Sequence, residues 1–453
     1  MILDDSTTDR RRHKLQIFTR PDVQQIPQLA VLGADAIRDL QVAAAVFPFR
    51  VSNHVVDTLI DWSEAPDDPM FRLVFPDRRM LDEASFARMK QALDSGIAEE
   101  QRRVAASIRS GMNPHPGEQL TLNMPFHEGS YINGLQHKYP ETVLFFPHDG
   151  QTCHSYCTFC FRWPQFVPDL GLQIALKDHE LLARYLAAHP EVSDVLITGG
   201  DPFTMSTRRL RIYMEALLAP ELAHVTSIRF GTKALTFWPR RFLTDADADD
   251  LIALVEWVAG RGKQIAIMAH FNHWRELESE ETLDAIARLR RAGAVIRSQA
   301  PLLRGVNDEG VVWAKLWRRQ LELGIVPYYM FVARDTGPKA YFDVPLARAW
   351  DIFTDAASRV SGLARTVRGP SMSTSPGKIE TVGTAEVHGE KLFVMRFLQA
   401  RRPSWCYRPF FARYDAHARW LDELEPAFGE PEFFFESEYR AMQGERHGTS
   451  ASV

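Results

Sequence analysis

Between Glu141 and Met330 two kinds of segment take turns along the chain. Thr142–Phe146, Asp194–Thr198, Ser227–Phe230, Gln264–Met268, Ala294–Arg297 and Ile325–Met330 are short runs rich in β-branched, aromatic and apolar residues, as buried strands are. The stretches between them, Lys177–Ala188, Arg209–Leu218, Asp245–Val258, Glu280–Arg291 and Val311–Leu323, carry apolar residues at helical spacing. About six strand–helix units in a row predict an α/β chain with a parallel sheet, because each helix returns the chain to start the next strand in the same direction. Such a sheet closes or partly closes into a barrel, and its ligand groups collect at the carboxyl ends of the strands.

The flanks read differently. Residues 1–130 are expected to be mostly helical and irregular, with Asp82–Arg109 forming one or two amphipathic helices that Gly96 interrupts. Pro66-Asp67-Asp68-Pro69 marks a turn, and the proline-containing stretch Gly111–Gly129 reads as a connector. Packing or oligomerisation is the expected use of this region, and the chain is expected to form a homo-oligomer. The domain expectation is thus 1–130, a barrel over 131–345, and a mixed C-terminal region over 346–453. In that last region Trp405, Tyr407, Phe410, Phe411 and Tyr414 form an aromatic patch for the barrel or a partner, and Gln443–Val453 is expected to be disordered.

Charge narrows the partners. With 53 basic and 58 acidic residues the formal net charge is −5, and Arg10-Arg11-Arg12-His13-Lys14 is a short basic run of terminus type, so a nucleic-acid partner is not expected. No apolar run approaches the roughly 20 residues needed to span a bilayer. The polar start Met1-Ile2-Leu3-Asp4-Asp5 is unlike a signal peptide, so the expected location is cytoplasmic, without a membrane partner.

Directly after the first strand come Cys153, Cys157 and Cys160, three of the four cysteines in 453 residues. Three thiolates on one loop can hold an iron–sulfur cluster, and a four-iron cluster would then keep one iron open to a substrate or cofactor. A zinc site with His154 as fourth ligand is the bland alternative, although structural zinc more often uses two separated pairs. Cysteines this close on a tight loop pair poorly as disulfides. At the other strand ends stand Gly199-Gly200-Asp201, where paired glycines let backbone approach a ligand, then Arg229, Thr232 and Lys233, His270 to His273, and Gln299. The histidines are read as hydrogen-bonding residues and not as metal ligands.

The C-x3-C-x2-C spacing resembles that of the radical S-adenosylmethionine enzymes, which implies a [4Fe–4S] cluster whose open iron chelates the methionine end of the nucleotide. Gly199, Gly200, Asp201, His270 and Gln299 are then the candidate contacts to S-adenosylmethionine. A narrower resemblance rests on Gly134-Leu135 with His137 and Tyr139-Pro140, on Thr198-Gly199-Gly200-Asp201, on Ala269-His270-Phe271-Asn272-His273, on Leu302-Leu303-Arg304-Gly305-Val306-Asn307-Asp308 and on Pro327-Tyr328-Tyr329. In this order, across residues 130–395, they are similar to the lysine 2,3-aminomutase family.

That resemblance implies a partial (β/α)6 radical S-adenosylmethionine barrel. It further implies a 2,3-migration of an amino group, driven by a 5′-deoxyadenosyl radical and dependent on pyridoxal 5′-phosphate, with an electron donor such as flavodoxin or ferredoxin. Lys378 matches the family's pyridoxal lysine, and Lys138 and Tyr139 stand at two phosphate-binding positions, whereas Thr142 replaces an arginine and Phe331 a tyrosine. Arg162 matches the arginine that clamps the α-carboxylate of a small amino acid substrate. The two aspartates with which lysine-specific members hold the distant ammonium become Arg334 and Ser371, which resembles glutamate 2,3-aminomutase and makes glutamate the expected substrate. Asp335 beside Arg334 leaves two alternatives, an acid restored by a one-residue slip or an internal pair. Two other readings are a pyridoxal-independent radical oxidase or epimerase with Cys406 as hydrogen donor, and a non-catalytic iron–sulfur protein.

Overall fold

A computed structural model describes residues 14–167 and 170–450, with side chains to residue 444. The basic run up to His13 and the first five residues lie outside the described residues, as do residues 451–453.

The N-terminal part pairs two short strands, β1 (Ile17–Thr19) and β2 (Arg50–Ser52), around the helix Gly33–Val46. Helices Glu83–Asp94 and Ala98–Ser110 follow, split at Gly96, whose φ of 69° suits a residue without a side chain. Asp82 caps the first of them by accepting the Ser85 N–H at 2.8 Å. Beyond the hairpin of β3 (Phe126–His127) and β4 (Ser130–Tyr131) runs one eleven-stranded sheet.

In that sheet β5 (Leu135–Tyr139) is antiparallel to β6 (Thr142–Phe145). Parallel pairing then continues through β7 (Asp194–Ile197), β8 (Ser227–Thr232), β9 (Gln264–His270), β10 (Val295–Leu302), β11 (Val326–Val332) and β12 (Arg368–Ser373). An antiparallel run of β13 (Gly377–Val387), β14 (Glu390–Ala400) and β15 (Pro409–Arg413) completes it. The six anticipated strands and five helices are all present. Their caps are local: Asp178, Ser206 and Ser279 each accept first-turn N–H groups with their side chains. Helix Glu280–Arg291 also carries acids in its first turn and arginines in its last, which suits its dipole.

Parallel strand β12 is additional to the six, so the sheet passes through residue 345. Gly369 and Pro370 interrupt its β-branched signal. At Gly369 φ is 145° and a Cβ would stand 2.3 Å from the Met330 carbonyl, which restricts the position to glycine. The sheet curls until β5 comes near the turn between β12 and β13, where the Lys138 side-chain nitrogen donates to the Thr374 carbonyl, but among the described residues no backbone ladder closes the gap.

Outward residues of the parallel strands, among them Ile228, Phe230, Ile296 and Ala300, pack against the helices in one large core. A second core lies in the N-terminal part and takes in Phe237, Leu303 and Phe342 from the barrel. The third core lies under β13–β15. It resolves the aromatic tail into two groups, since Trp405 and Phe410 are buried there while Tyr407 and Phe411 are exposed. The expected disorder from Gln443 is corrected, because a helix runs from Glu436 to Ser450. Among the described residues no helix is long and apolar enough to cross a membrane.

Candidate active site

The carboxyl ends of the parallel strands open into one cavity, and Cys153, Cys157 and Cys160 all lie on its wall. Their loop is held from outside the barrel. Arg50 on β2 donates to the Thr152 hydroxyl at 2.7 Å and to the Cys153 carbonyl at 2.9 Å, and its guanidinium lies over the Tyr156 ring. The Ser52 N–H donates to Ser155 Oγ at 2.9 Å, the Tyr156 N–H to the Arg50 carbonyl at 2.8 Å, and the Thr158 N–H to the Leu73 carbonyl at 2.9 Å. The N-terminal region, expected to serve packing, is therefore a wall of the cysteine site. Its sequence carried no sign of this, because a three-residue strand and a lone arginine resemble any surface segment.

The donor set fits an iron–sulfur cluster better than zinc. Burial pushes all three thiols above their ordinary range, Cys157 to about 12, and the thiols repel one another as they ionise. Such thiolates form readily only against a strongly positive group. His154, the proposed fourth zinc ligand, points elsewhere: it is 2 % exposed and its Nε2 meets Asp201 Oδ2 at 3.2 Å. Among the described residues no three His, Cys, Asp or Glu side chains gather closely enough for a single metal ion.

Gly199, Gly200, Asp201, His270 and Gln299 also line the cavity. A Cβ on Gly199 would stand 2.2 Å from the Gln151 amide, and one on Gly200 2.1 Å from the Thr152 carbonyl. The glycine pair thus lets β7 approach the cysteine loop, a contact within the protein in place of the expected approach to a ligand. Asp201 needs a similar correction. Its carboxylate accepts from Thr232 Oγ1 at 2.8 Å, from the Lys233 N–H at 2.9 Å and from the Phe203 N–H at 3.1 Å, besides His154. Burial alone would raise this carboxyl, but those bonds hold it below its ordinary value. Asp201 thus ties the end of β7 to His154 of the cysteine loop and to the end of β8. His270 Nε2 and Gln299 Nε2 are 2.9 Å apart, and burial lowers His270 to about 4, so its imidazole is neutral at pH 7. His273 caps the turn after β9 by accepting the Arg275 N–H.

Among the described residues, Arg162 and Arg334 face the cavity without an ion pair. Arg162 is 8 % exposed, lies 4.4 Å from the Phe146 ring centre and 5.1 Å from that of Phe161, and its Nη1 has no partner. Burial lowers its pKa to about 10. Arg334, half-buried, lies 4.8 Å from the same Phe161 ring and has no ion pair among the described residues. Gly117 makes room for it, since a Cβ there would come within 2.7 Å of Arg334 Nη1. Asp335 does not line the cavity: its Oδ2 accepts from Asn113 Nδ2 at 3.0 Å, and among the described residues it forms no ion pair with Arg334, although its charge is near enough to favour the charged guanidinium. An unpaired cation in such surroundings is costly unless a ligand supplies the anion.

Ser371, the expected companion of Arg334, is misplaced by the sequence count. It is fully buried, donates to the Met330 carbonyl at 3.3 Å and does not reach the cavity wall. Ser373, two residues nearer the end of β12, does. Alternation along a strand keeps i and i+2 on one face, so the count found the face and missed the depth.

Lys378, the second residue of β13, pairs with Ser373 and reaches the cavity, where its side-chain nitrogen donates to Gln399 Oε1 at 3.2 Å and lies 4.2 Å from the centre of the Tyr329 ring. Burial lowers its pKa to about 7, with Arg229, Arg368 and Arg334 adding repulsion and Tyr328 opposing. Lys138, Tyr139, Thr142 and Phe331 line the same cavity. Cys406 does not: it sits beside Phe397 of β14, packed against the third core.

The chain is 30 % identical over 404 residues to a putative L-lysine 2,3-aminomutase of Aquifex aeolicus, an alignment covering 88 % of this chain and 92 % of that one. The chain belongs to the lysine 2,3-aminomutase family. An L-lysine 2,3-aminomutase of Escherichia coli is 28 % identical over 79 % of this chain and 91 % of its own. No protein-family model matches. A radical SAM methyltransferase from Sphaerobacter thermophilus shares 17 % identity over 53 % of this chain and 68 % of its own, at a TM-score of 0.37, a likeness too remote to bear on the fold. The family's isomerases work with a [4Fe–4S] cluster, S-adenosylmethionine and pyridoxal phosphate. The residues fit the first through three thiols of one loop on the cavity wall and the last through a buried lysine of lowered pKa.

Proposed function

We propose that this chain moves the amino group of an α-amino acid with an acidic side chain from carbon 2 to carbon 3, glutamate being the substrate. The observation that carries the reading is Arg334, a cation on the cavity wall with no ion pair among the described residues, beside an aspartate that is bonded to Asn113 and does not line the cavity. A substrate ammonium would meet repulsion there, and a carboxylate would meet its missing partner.

Cys153, Cys157 and Cys160 would hold the cluster. With S-adenosylmethionine, for which His270 and Gln299 are the candidate contacts on the cavity wall, it would supply radical chemistry for hydrogen removal, and its one-electron reductant would be of the flavodoxin or ferredoxin kind. Lys378 would hold pyridoxal phosphate, which would supply a π-system for the nitrogen migration. Arg162 clamps the α-carboxylate with a guanidinium that the Phe146 and Phe161 rings orient. Arg334 draws the side-chain carboxylate to the other side of the site, and Ser373 adds a hydroxyl. Lys378 is neutral in a good fraction of molecules at pH 7, as attack on an aldehyde requires.

The test is incubation of anaerobically reconstituted protein with S-adenosylmethionine, dithionite and pyridoxal phosphate, separately with glutamate, aspartate and lysine. Formation of the 3-amino isomer of glutamate is expected. Faster turnover of lysine refutes the substrate assignment, and a protein that never cleaves S-adenosylmethionine refutes the enzyme.

A further inference from the structure

Two of the family's phosphate-binding side chains are absent here, and the structure shows what stands beside the gap. Thr142 cannot replace the missing arginine by its hydroxyl, because that hydroxyl donates to Asp194 Oδ2 at 3.0 Å. The same carboxylate holds Arg229, from the next strand but one: Arg229 Nε donates to Asp194 Oδ1 at 2.7 Å, and Nη2 donates to Oδ2. Thr142, Asp194 and Arg229 thus form one chain of contacts across β6, β7 and β8. It brings a guanidinium up to the place that Thr142 leaves short of charge.

Arg229 lies on the cavity wall with Lys138, Tyr139 and Lys378. Its bidentate hold on Asp194 fixes the plane of the fork and uses one edge, and no protein acceptor meets Nη1 among the described residues. Lys138 spends one of its three donors on the Thr374 carbonyl and keeps the others. Two basic side chains with unused donors near the lysine that would hold the aldehyde suit a phosphate dianion on the same cofactor, whose charge would favour protonation of Lys138, an amine that burial otherwise holds well below its ordinary pKa.

We propose that Arg229, together with Lys138, forms the phosphate subsite for pyridoxal phosphate, in place of the arginine that Thr142 replaces. This rests on the pyridoxal reading above. Asp194 orients Arg229 and also masks part of its charge, so the pair is a tuned clamp whose strength the carboxylate limits.

The experiment compares pyridoxal phosphate with pyridoxal, which lacks the phosphate, in absorbance titrations of the full-length protein. Arg229→Met is expected to weaken pyridoxal phosphate by about 10- to 100-fold, the worth of one charged hydrogen-bonding partner, and pyridoxal hardly at all. Asp194→Asn, which unmasks the guanidinium, is expected to shift the preference further toward the phosphate form, and it serves if Arg229→Met fails to fold. A preference unchanged from wild type in the folded variants overturns the proposal, as does an equal loss of both ligands. Wild-type protein that binds pyridoxal phosphate in those cases keeps the parent reading intact; wild-type protein that binds neither ligand removes both.

Discussion

Replacing Arg334 tests the substrate assignment most directly. The guanidinium is half-buried and has no ion pair among the described residues, Asp335 acting on it only through its charge, so a substrate carboxylate would make its direct charged contact there. At about 4 Å and an effective dielectric constant near 20 the Coulomb energy is about 4 kcal/mol. Partial solvent exposure and the dehydration of both groups reduce this toward the ~1.5–3 kcal/mol measured for hydrogen bonds to charged groups. At about 1.4 kcal/mol per factor of ten, Arg334→Gln should lower kcat/KM for glutamate by roughly 10- to 100-fold. Arg334→Asp sets a carboxylate against the substrate's own and should cost roughly tenfold more, while giving lysine a counter-ion. The assay is initial-rate formation of the 3-amino isomers of both amino acids, with S-adenosylmethionine cleavage in the absence of substrate as the measure that the cluster is intact. If Arg334→Gln leaves kcat/KM for glutamate unchanged, the cation does not read the side chain and the substrate argument falls.

Other expectations follow from the same contacts. Arg162→Met should lower kcat/KM for any α-amino acid by about 10²-fold or more, because it removes a bidentate clamp, with no change in the glutamate-to-lysine ratio; a changed ratio would contradict its role. Lys378→Met should abolish the absorbance band of lysine-bound pyridoxal. It should also stabilise the apoprotein in thermal unfolding: the folded pKa of about 7 lies below the ordinary 10.5, so folding opposes the charged amine. That cost is full below pH 7 and fades as pH rises toward 10.5, and stabilisation that grows with pH would show the sign to be wrong. Arg50→Met should leave the fold in place by circular dichroism but lower the iron retained after reconstitution, since two bonds to the cysteine loop are lost; full iron occupancy would show those bonds to be dispensable.

The sequence made the βα series legible because each segment carries its own period, and the cysteines were legible because their spacing is local. What escaped it was depth and orientation. Ser371 and Ser373 are equivalent by alternation, and packing alone puts one below the cavity and the other at its edge. Asp201 stood at a strand end like a ligand, but its bonds to Thr232 and Lys233 join residues some thirty positions away. The uncertainty over Asp335 ended only with Asn113, more than two hundred residues earlier in the chain. Strand β12 was hidden by Gly369 and Pro370, and the tail helix by its polar composition.

The bonds from Arg50, Ser52 and Leu73 to the cysteine loop also set an order of events. Residues 50–73 leave the ribosome about a hundred positions before the cysteines, so the wall can form while the loop is still being made. Iron would then meet three thiols already braced on one side. A chain shortened from its N-terminus past Leu73 would keep every cysteine and every barrel strand, yet present the metal with a loose loop. Its failure would appear during maturation, as protein that never fills, rather than as an enzyme that turns over slowly.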